Sequence, residues 1–217
     1  MPRKTPSKEQ ASAPAGADVH DRIVQSAREL FIDKGYQATT TKEISSRAGV
    51  AEPTLFRRFG SKAEIFEASI LPAVMSFVEG WSGSWAEFSR DASYEEMAEN
   101  FTADLYTLIR QDRRVFQELL AARSDPNDDL YPAATAIGTQ LRRGLRLVYD
   151  AGRRIEAERG MVGLDPPATV GAIASLIIGA AILDDWVFPY GVRIPGQSRM
   201  IREMSRLIAD GISHRTV

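Results

Sequence analysis

The chain has 217 residues, 44% of them hydrophobic and 26% charged, the balance of a soluble globular protein of one or two domains. It has no cysteine, which excludes disulfides, cysteine-ligated zinc and thiol catalysis, and its two histidines, His20 and His214, stand near opposite ends, a poor basis for a metal site. The formal charge of −2 is unevenly divided: residues 1–62 carry 11 Lys+Arg against 7 Asp+Glu, and the other 155 carry 16 against 22. A basic amino-terminal quarter on an acidic remainder suggests two jobs, one of them involving a polyanion.

Residues 1–17 are rich in Pro, Ala, Ser and charge and lack apolar periodicity, so a disordered arm is expected. No apolar stretch follows Arg3, Lys4 and Lys8, so secretion is unsupported and a cytoplasmic location is expected. From Asp18, Ile23, Ala27, Leu30 and Phe31 recur at helical spacing, and Gly35 stops that helix. Thr40-Thr41-Lys42-Glu43 is a capping box, opening a short helix that runs through Ala48. Gly49 supplies a left-handed turn residue, and Pro53, tolerated in a first turn, opens a second short helix ended by Gly60. Ser61-Lys62-Ala63-Glu64 reads as another capping box, and the helix it starts is expected to kink or break near Pro72.

The remainder also reads as helices. Ser93 caps a helix carrying Met97, Phe101, Leu105 and Leu108; Val115, Phe116, Leu119 and Leu120 mark the next; Ile137, Leu141, Leu145, Val148 and Ile155 form a long stripe. Asp165-Pro166 is an N-cap with proline behind it, predicting a helix over about 166–188, and the last helix spans about 198–213. About nine helices and no strand pattern make the chain all-α. The uncharged run between Asp165 and Asp184 approaches transmembrane length, but prolines, small residues and missing basic flanks argue for burial in a core or interface instead. Within it Gly171, Ser175 and Gly179 form a small-residue stripe that lets another helix approach.

Residues 40–59 fit a helix-turn-helix. With Leu55 at zero and about 100° per residue, Phe59 falls near 40°, and the two define an inward face. Pro53, Thr54 and Arg57 point away from it, toward a groove, while Phe56 and Arg58 lie on the flanks, where phosphate walls would run. Lys62 stands in the first turn of its helix, where positive charge is unfavourable unless a phosphate docks there, and a phosphate contact would add to the capping role of Thr40.

The stretch from Gly35 to Ile44, continued by Ala48-Gly49-Val50 and by Thr54 to Lys62, resembles the DNA-binding signature of the TetR family of transcriptional repressors. The resemblance covers about residues 18–66. It implies a three-helix DNA-binding domain after the arm, then, over 67–217, a larger helical domain for effector binding and dimerisation. The expected interface to DNA comprises Thr40, Thr41, Pro53, Thr54, Phe56, Arg57, Arg58 and Lys62. Phe56 replaces the family's usual tyrosine and cannot donate to a phosphate; Ala51 replaces the usual serine, so the second helix lacks its side-chain cap, worth about 1 kcal/mol. The resemblance also implies a homodimer joined through the last two long helices, with Gly171, Ser175, Gly179, Met204 and Ile208 as the expected contacts.

The partners expected are a double-stranded operator, near-palindromic, and an unidentified small-molecule effector, largely apolar or aromatic. Trp81, Trp85, Phe101, Tyr106, Phe116 and Trp186 are the candidates to line its pocket. No cofactor or metal and no membrane insertion are expected. A membrane-anchored or architectural DNA binder without effector is the alternative. An α-helical hydrolase has less behind it: Gly80-Trp81-Ser82-Gly83-Ser84 only approaches a nucleophile elbow, no strand precedes it, and neither histidine stands near as a base, so no enzyme is expected.

Overall fold

The computed structural model describes residues 18–87, 93–159 and 165–213, so the expected arm at 1–17 lies outside the described residues. The described residues form nine α-helices and a 3-10 turn, without strands. The chain divides into two compact units, Met1–Ser69 and Ile70–Val217.

The first unit contains α1 (Val19–Lys34), α2 (Thr41–Ala48), α3 (Glu52–Phe59) and the start of α4 (Lys62–Glu87). Its core is closed by Ile23, Phe31, Ile44, Leu55, Ile65 and Phe66, all fully buried. Phe31 meets Phe66 edge-on at 5.0 Å between ring centres, and Tyr36 adds a second edge contact to Phe66 at 5.4 Å. Local sequence sets both ends of α2. The Thr40 hydroxyl accepts from the Glu43 amide while the Glu43 carboxylate accepts from the Thr40 amide, the reciprocal pair that the spacing predicts. Gly49 takes φ 66°, a left-handed conformation costly for any residue with a Cβ, and its amide closes the end of α2 on Ser45 and Ser46.

α4 departs from expectation by running uninterrupted through Pro72 for 26 residues. Proline removes one amide donor, yet Pro72 lies exposed, where water can satisfy the carbonyl one turn back. The box expected at Ser61 is half formed: its hydroxyl accepts from the Glu64 amide, while the Glu64 carboxylate accepts from that hydroxyl.

The second unit packs α5 (Tyr94–Gln111) against α8 (Pro166–Ile182) and α9 (Gln197–Ser213), while α7 (Tyr131–Arg159) lies on α6 (Arg113–Ala122) and α8. Polar clamps reinforce this apolar packing, with the Gln117 amide donating to the Ile182 carbonyl at 3.0 Å and the Gln197 amide to the Thr107 hydroxyl at 2.9 Å. Gly144 admits α4 closely: a Cβ there would meet the Val78 methyl at 3.1 Å. α8 stops at Ile182, short of the predicted 188, and the 3-10 turn Asp184–Val187 follows. The polar pair Asp184-Asp185 and the coming Pro189 favour that early stop over a further helical turn.

Candidate nucleic-acid interface

The two helices of the helix-turn-helix are fixed to each other by packing and by one polar tie. Leu55 and Phe59 are buried, as the helical angles require, and the Thr41 hydroxyl donates to the Glu52 carboxylate at 2.5 Å. Thr41 is thereby half-buried and committed inside the protein, a role its sequence position did not reveal.

On the opposite side of α3, Pro53, Phe56, Arg57 and Arg58 are exposed and Thr54 is partly so. Arg58 has one distant ion-pair partner, Asp18 at 4.0 Å. Arg57 has no hydrogen-bond or ion-pair partner among the described residues. An exposed guanidinium, planar and forked, on the face opposite a buried one can offer paired donors to acceptors such as those on a guanine edge. Phe56 is 43% exposed, an apolar ring where the helix meets solvent.

Lys62 is placed differently from expectation. Its ammonium donates to the Tyr36 carbonyl at 2.8 Å and the Thr39 carbonyl at 2.9 Å, and lies 4.0 Å from the centre of the Tyr36 ring. Two inward carbonyls and a ring thus hold the charge that sequence alone directs outward to a phosphate. The side chain fastens the α1–α2 loop and so positions Thr40, which is exposed at the start of α2. Sequence inspection misses this because the acceptors are backbone carbonyls 26 and 23 residues away.

The Glu43 carboxyl is held down to about 2 by the Lys34 ammonium at 2.6 Å, then by the Thr40 amide and hydroxyl. The start of α2 is therefore an ionised, well-bonded corner at all ordinary pH.

In the second unit a cavity of about 20 Å³ is lined by Phe77, Phe101, Leu105, Leu141, Gly144, Leu145, Val148 and Ile178. Of the expected pocket residues, Phe101 is there, while Tyr106 and Phe116 are buried elsewhere in the core. Trp186 is 87% exposed and does not line this cavity, because α8 ends before reaching it. The side chains of Trp81 and Trp85 lie outside the described residues.

Along α8 and α9 a surface groove of about 160 Å³ is lined by Thr169, Ala172, Ile173, Leu176, Leu207, Ile208, Gly211 and Ile212. Gly171 and Ser175 are exposed beside it and Gly179 is partly exposed. Met204, expected at an interface, is instead buried inside its own chain, and Ile208 shows the groove only its edge. α9 rotates these two toward α5 and leaves Leu207 outside, a choice that the stripe spacing alone could not make.

A helix-turn-helix with an exposed arginine face, joined in sequence to a larger unit of helices alone among the described residues, defines the class by its architecture. Residues 23–69 match the bacterial regulatory proteins of the tetR family. The chain is 51% identical over 47 residues to the HTH-type transcriptional regulator YvkB of Bacillus subtilis, covering 22% of this chain and 25% of that protein. It is 39% identical over 59 residues to the HTH-type transcriptional activator FasR of Mycolicibacterium smegmatis, 27% of each chain. These matches span only about a quarter of the length of the curated relatives. The solved structure of the TetR family transcriptional regulator PfmR from Thermus thermophilus superposes with TM-score 0.62 over 88% of this chain and 98% of that one, at 22% identity. The likeness establishes the all-α fold across both units. No helix among the described residues is long and apolar enough to cross a membrane.

Proposed function

We propose that this protein is a sequence-specific DNA-binding transcriptional regulator, a homodimeric repressor that leaves its operator when a small molecule enters the second unit. The observation that carries the DNA-binding reading is Arg57, exposed without a partner among the described residues and opposite the buried Leu55 and Phe59. α3 enters the major groove, Arg57, Pro53 and Thr54 meet base edges, and Arg58, Phe56 and Thr40 lie along the phosphates. Lys62 and Thr41 act as positioning residues, through the Tyr36 and Thr39 carbonyls and through Glu52.

One recognition helix reads only a few base pairs, so two are needed, and the apolar groove along α8 and α9 is where a second copy fits. The cavity beside Phe101 supports the effector reading. None of its lining residues is charged, so it suits an uncharged, largely apolar molecule, and at its present size it holds about one water. An effector must therefore displace its walls on entry, and the state that admits effector differs from the state described. Linkage makes this coupling reciprocal, so bound operator weakens effector binding by the same factor.

Selection from random duplexes with the whole protein tests the reading. Enrichment of a near-palindrome, with half-sites about one helical turn or a multiple apart, is expected. Recovery of unenriched sequence would leave an architectural binder instead.

A further inference from the structure

Eight of the eleven large apolar side chains exposed among the described residues fall between Leu176 and Leu207. Six of them, Leu183, Trp186, Val187, Tyr190, Val192 and Ile194, belong to the connection between α8 and α9. Trp186 and Tyr190 are almost wholly exposed. An isolated exposed apolar residue needs no explanation, but two aromatics and four aliphatics within twelve residues form a patch of the kind that partners cover.

Two observations select the partner. The patch continues the groove, because Leu176 lines the groove and Leu183 lies two turns farther along the same direction of the chain, both exposed. A copy seated on the groove therefore reaches the patch without a second docking event. In addition, Asp184 and Asp185 stand in the same segment, opposed only by Arg193, a charge balance unsuited to an anionic lipid surface or to nucleic acid.

We propose that the segment Leu183 to Ile194 is covered by a second copy of this chain, extending the homodimer interface beyond the paired helices, with Trp186 and Tyr190 as its anchors. The inference rests on the dimer proposed above and adds a surface that the helices alone do not define. The segment's length and its 3-10 turn present the two aromatics beyond the end of α8. Aromatic side chains of this kind dominate interface energetics when desolvated by a partner.

The chain has no cysteine, so a single introduced thiol reports its own exposure. The whole protein carrying Tyr190→Cys is labelled with a maleimide and compared with Arg142→Cys, a control on the exposed side of α7. Labelling at 190 is expected to be about tenfold slower or more, and to rise to the control rate when Leu207→Glu is added to separate the copies. Equal rates at 190 and 142 in the dimer, or slow labelling that persists in the separated chain, would overturn the proposal; so would slowing only on addition of phosphatidylcholine vesicles. Sedimentation keeps the two readings apart. A Leu207→Glu protein that stays dimeric refutes the helix-pair interface itself. If Leu207→Glu is monomeric yet Trp186→Ala leaves the dimer constant unchanged, the helix pair stands and the extension fails; about a tenfold weakening or more is expected.

Discussion

The Thr41 hydroxyl donates to the Glu52 carboxylate at 2.5 Å, joining the two helices of the helix-turn-helix across the turn. The bond is half-buried and one partner is ionisable, so it fixes the angle at which α3 is presented more firmly than packing of Leu55 alone. Thr41→Val keeps the shape and removes the donor. Urea unfolding should show a loss of about 1–2 kcal/mol, and affinity for the selected duplex should fall with it. Unchanged stability would mean that the tie contributes nothing beyond packing.

Lys62 separates positioning from phosphate contact. In Lys62→Ala the Tyr36 and Thr39 carbonyls lose their ammonium donor, and stability should drop by about 1–3 kcal/mol. The dependence of DNA affinity on salt should keep its slope, since no ion is displaced at that site. A slope smaller by about 2 per dimer would restore the direct phosphate role.

The Glu43 carboxyl titrates near 2 in the folded chain against an ordinary value of 4.5, chiefly because of Lys34 and then Thr40. A group whose folded value is lowered contributes stability above its unfolded value and loses it as pH falls toward the folded one. Its contribution is therefore whole above about 4.5 and declines toward 2. The thermal midpoint of Glu43→Gln, measured across that window, should fall less steeply with acid than that of the parent. Parallel curves would contradict the assignment.

Thr102 on α5 is fully buried, and its hydroxyl has no partner among the described residues. Thr102→Val preserves the shape and removes an unsatisfied donor, so the variant should be as stable as the parent or more stable, by up to about 1 kcal/mol in urea. A loss above about 1 kcal/mol would show that the hydroxyl is bonded in solution.

Local signals carried most of the fold. Thr40, Ser93 and Asp165 cap their helices through short-range bonds written in three or four consecutive residues, and Gly49 and Gly60 mark turns that need positive φ. Where a boundary depends on solvent access, the sequence was a poorer guide. Pro72 sits on an exposed side and α4 passes through it, and α8 ends six residues before the proline-based estimate. The exposed face of α3 was legible because two buried residues, Leu55 and Phe59, set its angle. Lys62 was not, because its acceptors are backbone atoms brought near only by folding, and Met204 was not, because a hydrophobic stripe does not say which neighbour it faces.

Whether Arg57 reads base sequence from the exposed face of α3 is tested most directly by duplex affinities of the parent and of Arg57→Ala. The duplexes are the selected one, its variants altered one base pair at a time, and random DNA, all at one salt concentration. Arg57→Ala should lose about 1–3 kcal/mol per half-site on the selected duplex and stop discriminating at one position in each half-site, with little change on random DNA. Equal losses on selected and random duplexes would contradict base reading and leave Arg57 as a phosphate contact.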